Sequence, residues 1–160
     1  MGVEFSFSEK EALNKLAKYC AYQDRSSGEV MQKLNSFKIY GENANKIIEF
    51  LKVEKFLDDK RFVNIYIKSK IRFKHWGRNK IFKGLKSKFA ENEIINEALS
   101  NLDLDEYNMA LKEVIEKKTK ELGGELNFEN NNKIIRYAQS KGFTISEILK
   151  YLNNKDDDTR

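Results

Sequence analysis

The chain contains no proline, one cysteine, one histidine and one tryptophan among its 160 residues. Each scarcity closes off a class of structure or chemistry. Without proline nothing breaks a helix by ring clash and lost N–H, and the abundance of Lys, Glu, Leu and Ala favours helix further. The alternating β-branched runs that mark strands are missing. A lone Cys20 can form no intramolecular disulfide, and no second cysteine exists to clamp a zinc ion. It reads as a small buried apolar residue in a reduced compartment. His75 has no obvious nucleophile with which to make a triad, and no glycine-rich phosphate loop, HExxH or CxxC motif is present. Catalytic residues, metal ligands and cofactors are therefore not expected, and the chain reads as a non-enzyme. No apolar stretch approaches the roughly 20 residues that cross a bilayer. The first residues carry no basic segment followed by an apolar one, as a secretory signal would. A cytoplasmic location without membrane attachment is the expectation.

The most informative shortage is of acidic groups. From Lys60 to Ala90 there are eleven Lys or Arg residues and no Asp or Glu. Residues 1–57 carry nine basic and eight acidic groups, and residues 91–160 carry ten and fifteen. The net charge of +5 is thus a neutral first third, a strongly positive middle and a negative last third. Solvated helices usually mix signs, so complete exclusion of acids over 31 residues points to phosphates or to an acidic groove on another protein.

Helical periodicity fills the rest. Nine amphipathic stretches run from Leu13, Leu16, Ala17 and Cys20 to Ile148, Leu149 and Leu152. Ser8 with Glu11, Ser26 with Glu29, Asp103 with Glu106 and Thr144 with Glu147 have the spacing of capping boxes. Asp58 and Asp59 stand at the start of a helix through Tyr66, where carboxylates favour the dipole. Gly41, Gly77, Gly123-Gly124 and Gly142 mark helix ends.

Nine short helices must pack in clusters, and the sequence repeats itself. Asn79-Lys80-Ile81 recurs as Asn132-Lys133-Ile134, and Ser87-Lys88 as Ser140-Lys141. With Gly142 taken as an insertion, Phe89 matches Phe143 and Glu93-Ile94 matches Glu147-Ile148. Val30 and Leu34 correspond to Ile81 and Leu85, and Ile48 to Leu99. The expectation is an all-α chain of three tandem three-helix repeats, at residues 8–57, 58–102 and 103–153, forming an elongated, curved array. Residues 154–160, with Asp156-Asp157-Asp158, read as a disordered acidic tail. Arrays of this kind gain stability by stacking units too small to stand alone.

The basic middle supplies the candidate contacts: Arg61, Lys68, Arg72, His75, Arg78, Lys80, Lys83 and Lys86. Arg61, Lys68, Arg72 and His75 are spaced to share one helix flank, while Lys80, Lys83 and Lys86 project from the non-core side of the next helix. Trp76 could stack on a base, although a packing role for it, for Tyr66 and for Phe73 suits the pattern better. An alternative reading is a stand-alone helix-turn-helix module or transcription factor, with residues 77–88 in a major groove. Against it, that stretch carries only Arg78 and Asn79 among base-reading side chains.

The motif Leu57-Asp58-Asp59-Lys60-Arg61-Phe62, followed by Tyr66, Lys70, Gly77, Ile81 and Leu85, resembles the central motif of the RecX family of RecA modulators. Tyr19-Cys20, Arg25-Ser26-Ser27, Glu29 and Lys33-Leu34 resemble the family's first repeat, and Lys141-Gly142-Phe143 a turn in its third. Val63 stands for the usual alanine and Val30 for the usual leucine, and the glycine expected at the turn after Leu85 is replaced by Lys88-Phe89. The resemblance covers roughly residues 9–152. It implies a monomeric protein lying in the groove of the RecA filament, touching RecA and single- or double-stranded DNA. In that position it would restrain ATP hydrolysis, strand exchange and recombinational repair in the SOS response.

Overall fold

The structure is a computed structural model that describes residues 2–158. Among them the regular elements are nine α-helices: α1 (Phe7–Tyr22), α2 (Ser27–Ser36), α3 (Gly41–Val53), α4 (Asp59–Lys74), α5 (Arg78–Ser87), α6 (Asn92–Ser100), α7 (Leu104–Glu121), α8 (Phe128–Ser140) and α9 (Ile145–Asp158). The all-α three-helix repeat plan is what the sequence implies. The last helix extends further than the periodicity suggested. Asp156, Asp157 and Asp158, read as part of a disordered tail, lie in the final turn of α9, while residues 159 and 160 lie outside the described residues.

Caps set the starts. Ser26 opens α2 by accepting from the Glu29 amide at 3.0 Å while Glu29 reaches back to the Ser26 amide at 3.0 Å. Thr144 and Glu147 exchange the same pair of bonds ahead of α9. Asp103 accepts from the Asp105 and Glu106 amides. At α1 the reciprocal box is Ser6 with Glu9 rather than Ser8 with Glu11, so the helix begins two residues early. Each box satisfies amides that the first helical turn leaves without partners.

The second helix of every repeat ends in the same way. Lys38, Phe89 and Gly142 adopt left-handed φ values of 61°, 61° and 100°. The following amide returns to the helix in each case: Ile39 to Leu34 at 3.0 Å, Ala90 to Leu85 at 3.1 Å and Phe143 to Ala138 at 3.2 Å. This is the double-bonded Schellman ending, and it corrects the repeat register. Phe89 stands at the position of Gly142, with Ala90 matching Phe143, so Gly142 is no insertion. In the corrected register Ala44, Ile95 and Ile148 coincide, all three fully buried.

The chain divides into two compact units, Met1–Ile65 with Leu85–Ile95, and Tyr66–Gly84 with Asn96–Arg160. In the first, α1 packs on α3 and α2 on α3. Its core holds Ala12, Leu16, Cys20, Val30, Leu34, Ile47 and Leu51. In the second, α8 packs against both α7 and α9, with Tyr107, Leu111, Ile115, Ile134 and Phe143 buried. Burying each of the large aliphatic side chains contributes about 1.5–3 kcal/mol relative to exposure. Short helices with weak intrinsic stability are held by that burial.

Candidate functional site

The eight positions expected to meet a ligand divide between the units: Arg61 and Lys86 belong to the first, the other six to the second. Their surroundings separate them into groups with different duties.

The three arginines are engaged within the fold. Arg61, third residue of α4, places Nε 2.7 Å from the Asp24 carboxylate. Arg72 places Nε 2.8 Å from Glu106, third residue of α7. Arg78 places Nε 2.5 Å from Glu147, whose second carboxylate oxygen accepts from the Tyr107 hydroxyl at 2.9 Å. The Arg78 amide in turn donates to that hydroxyl at 3.1 Å. Burial pushes the Tyr107 phenol up to about 12, with the Glu147 charge adding to the shift. Burial opposes the charge on Arg78, yet Tyr107 and Glu147 hold its pKa above the ordinary arginine range. A planar guanidinium shared between a carboxylate and a phenol in a half-buried corner is fixed in place.

His75 ends α4 in a left-handed conformation at φ 53°, its amide donating to the Ile71 carbonyl at 3.2 Å. With Ile71, Arg72, Met109 and Ala110 it lines a cavity of about 400 Å³ rimmed by Asp105, Glu106 and Glu113. This cationic stretch therefore borders an acidic hollow on one side. Lys86 donates to the Ala90 carbonyl at 3.0 Å, inside its own turn.

Five lysines of the basic stretch lie in the second unit: Lys68, Lys70, Lys74, Lys80 and Lys83. Lys68 and Lys83 are exposed, with no ion pair among the described residues. Lys70 and Lys80 lie over aromatic faces instead of beside carboxylates. The Lys70 ammonium is 4.9 Å from the centre of the Trp76 ring system and 5.1 Å from that of Tyr66. Lys80 is likewise 4.9 Å from Trp76, and its ammonium lies 3.5 Å from the Ser140 carbonyl. An ammonium held over an indole keeps its full charge and loses freedom. Lys70 stands in the family-like motif but not among the expected contacts, and Trp76, expected to pack, does so as a platform for two lysines. The available signal was Gly84 inside a helix: a Cβ there would collide with the Tyr66 hydroxyl and come 3.4 Å from the Trp76 ring. The glycine makes room for the aromatic pair that carries the lysines.

Asp59 stands in the first turn of α4, as its spacing implies, and has a second role. Asp58 caps α4, accepting from the Arg61 amide at 3.0 Å, but the Asp59 carboxylate turns away to α2. It accepts from the Ser27 amide at 2.7 Å and from the Ser27 hydroxyl. The paired acids are thus structural caps of two different helices. Among the described residues no group of three or more His, Cys, Asp or Glu side chains could hold a metal ion, and no helix is long and apolar enough to cross a membrane.

Comparison with known proteins agrees with this architecture. The second three-helix domain of RecX matches residues 58–99 and the third matches residues 105–152. The regulatory protein RecX of Clostridium tetani is 34% identical over 131 residues, 81% of this chain and 60% of that protein. That of Bacillus licheniformis is 29% identical over 157 residues, 96% of this chain and 59% of that protein. The chain therefore spans about three fifths of the length of these relatives. In fold, the crystal structure of RecX from Lactobacillus salivarius superposes with a TM-score of 0.85 at 23% identity, covering 93% of this chain and 97% of that one. A second crystal structure, of a regulatory protein RecX, gives 0.76 at 19% identity, over 91% and 77%. With two RecX domains matched over more than half of its residues, the chain belongs to the RecX family of regulatory proteins.

Proposed function

We propose that this protein is a non-enzymatic cytoplasmic regulator that binds the groove of the RecA–DNA filament as a monomer and restrains RecA ATPase, strand exchange and recombinational repair. The observation that carries the reading is the acid-free basic stretch from Lys60 to Ala90, set on a RecX-family fold. A filament of recombinase on DNA is a polyanion with protein walls, and a cationic surface steers association with it. The relatives carry the name of regulatory proteins, which supports regulation rather than turnover.

The helix-turn-helix alternative fits less well. Base readout would use the start of α5, but the Arg78 side chain is held by Glu147, and the Gly77 and Asn79 amides are hydrogen-bonded to the turn after α8. That helix end faces protein.

The test is RecA ATPase on single-stranded DNA with the full chain added below stoichiometry. Slowed hydrolysis is expected. Unchanged hydrolysis at equimolar protein overturns the reading, and so does sequence-selective duplex binding in the absence of RecA.

A further inference from the structure

The end of α4 presents two features of opposite character, one on each side of the helix. On one side Ile71, Arg72 and His75 line the cavity of about 400 Å³ together with Met109 and Ala110 of α7. Its floor is apolar: Ile71 and Ala110 are buried, and Met109 is 54% exposed. Asp105, Met109 and Glu113 recur every four residues, so they form one strip along α7. Arg72 neutralises Glu106 at 2.8 Å. The exposed carboxylates of Asp105 and Glu113 have no ion-pair partner among the described residues. The hollow is thus an apolar slot between two uncompensated negative charges, and it repels phosphates. On the other side Lys70, Phe73 and Lys74 share a face, Phe73 and Lys74 lying three and four residues beyond Lys70. Phe73 is 73% exposed, Lys74 is exposed, and Lys70 is held over Trp76. This is an aromatic knob between positive charges. A methionine thioether is a favourable partner for an aromatic ring, and opposite charges around the contact would fix its register. Knob and hollow match in polarity and oppose in sign. They point away from each other around α4, where successive residues are turned by about 100°, so one chain cannot fill its own hollow.

We propose that free copies of this chain associate head to tail, with Phe73 and Lys74 of one copy seated in the hollow of the next, over Met109 and between Asp105 and Glu113. An interface between unlike surfaces forms no two-fold dimer; it adds copies in one direction, as an open chain or a ring. The proposal rests on the reading of the basic stretch as polyanion-binding in one respect only. The hollow offers the knob carboxylates in place of phosphates, so a polyanion and a second copy compete for it. The chain on its polyanion is then a monomer, and the associated form is its idle state.

The experiment is sedimentation velocity of the full chain at low salt, from micromolar to millimolar concentration. The weight-average mass of the wild type rises past that of two chains, and added salt lowers it, as pairing of exposed charges requires. Asp105→Asn with Glu113→Gln disables the hollow, and Phe73→Ala with Lys74→Gln disables the knob. Each variant stays at the mass of one copy. All four side chains are exposed, and circular dichroism like that of the wild type shows each variant folded. An equimolar mixture of the two variants recovers association but stops at two chains, because one knob and one hollow remain intact between them. Lys117→Gln with Lys120→Gln, elsewhere on α7, associates as the wild type does. One equivalent of a short oligothymidylate returns the wild type to one copy per complex. A wild type that stays at one copy throughout, a mass that halts at two, association surviving in either variant or a mixture that fails to recover it each overturns the proposal. Copies that remain associated with the oligonucleotide bound overturn the competition. An oligonucleotide that does not bind, with association as described, would sink the polyanion reading and leave the contact between copies standing.

Discussion

The junction between the first two repeats and the junction between the last two receive the same turn and secure it by different chemistry. In both, the Schellman turn of the later repeat is docked on the start of the preceding repeat's second helix, and the bond is made to an equivalent carbonyl. Lys88 accepts from the Ser26 hydroxyl in the first unit, and Lys141 accepts from the Gly77 amide at 2.8 Å in the second. The second junction adds the Asn79 amide to the Gly142 carbonyl at 3.0 Å, bringing two backbones into direct contact through a pair of glycines. The first relies on side chains: Asp59 on Ser27 and Lys88 on Glu29 at 3.3 Å. Even the accessory ion pairs are inverted. The third residue of α4 is the cation at the first junction, and the third residue of α7 is the anion at the second. A docking geometry can therefore be kept while its donors, acceptors and charges are exchanged. What must persist is the position of the turn.

The comparison can be broken hardest at the glycines. Gly77→Ala forces a Cβ into the backbone of Gly142 and Phe143. It should destabilise the fold by about 3 kcal/mol or more, in the range reserved for steric failure in a packed interior. Gly28→Ala drives a Cβ into the Cβ and backbone carbonyl of Phe89, atoms that cannot yield without moving the turn itself, so its cost should be of the same order. Chemical denaturation of the two variants tests this, and a Gly28→Ala cost far below that of Gly77→Ala would show that the two turns are not docked equally closely.

Tyr107→Phe removes two hydrogen bonds, to Glu147 and from Arg78. A loss of about 1–2 kcal/mol is expected. The same residue gives a pH signature. Its folded pKa of about 12 exceeds the ordinary 10, so the folded state retains a proton that the unfolded state releases. Its contribution is complete below pH 10 and is lost as pH rises from 10 to 12. The phenylalanine variant should show a shallower fall in stability over that window, measured by thermal melts.

Reversing one partner of an accessory ion pair, Arg61→Glu or Arg72→Glu, should cost less than about 1 kcal/mol because both pairs are partly solvated. The double reversals, Asp24→Arg with Arg61→Glu and Arg72→Glu with Glu106→Arg, should each recover most of it. A double-mutant cycle without coupling would remove the ion pairs from the account of the junctions.

The smallest effect is expected at the left-handed turn. Phe89→Gly relieves the cost of φ 61° on a residue with a Cβ but frees the unfolded chain, so the gain should be at most about 1 kcal/mol. Gly142→Phe, at the corresponding site, would meet Lys80 and Gly77 and should be strongly destabilising. This contrast isolates the space around the turn from its backbone angle.

Helix number, apolar faces and most caps were legible in the sequence, because local spacing and capping chemistry are written in neighbouring residues. Ser26 with Glu29 and Thr144 with Glu147 are examples. The register of the repeats was misjudged at one residue, since a phenylalanine in a glycine's conformation gives no local signal. The cationic stretch was equally plain, whereas the fate of each charge depends on distant partners. Arg78 meets Glu147 across 69 positions and Arg61 meets Asp24 across 37. Charge counting cannot distinguish a guanidinium held by such a partner from a lysine facing solvent. The difference between Arg72 and Lys68, four residues apart on one helix, appeared only with Glu106 in place.

The division of the middle repeat has an evolutionary corollary. Residues 59–65 of α4 belong to one compact unit and residues 66–74 to the other, and α5 and α6 are divided in the same way. A segment whose every helix serves two cores cannot be duplicated or deleted as a cassette without orphaning apolar surface on both sides. Changes of length are better tolerated in a connection such as the one between α7 and α8, where Gly123 and Gly124 have open space around them, than by adding or losing a whole central repeat.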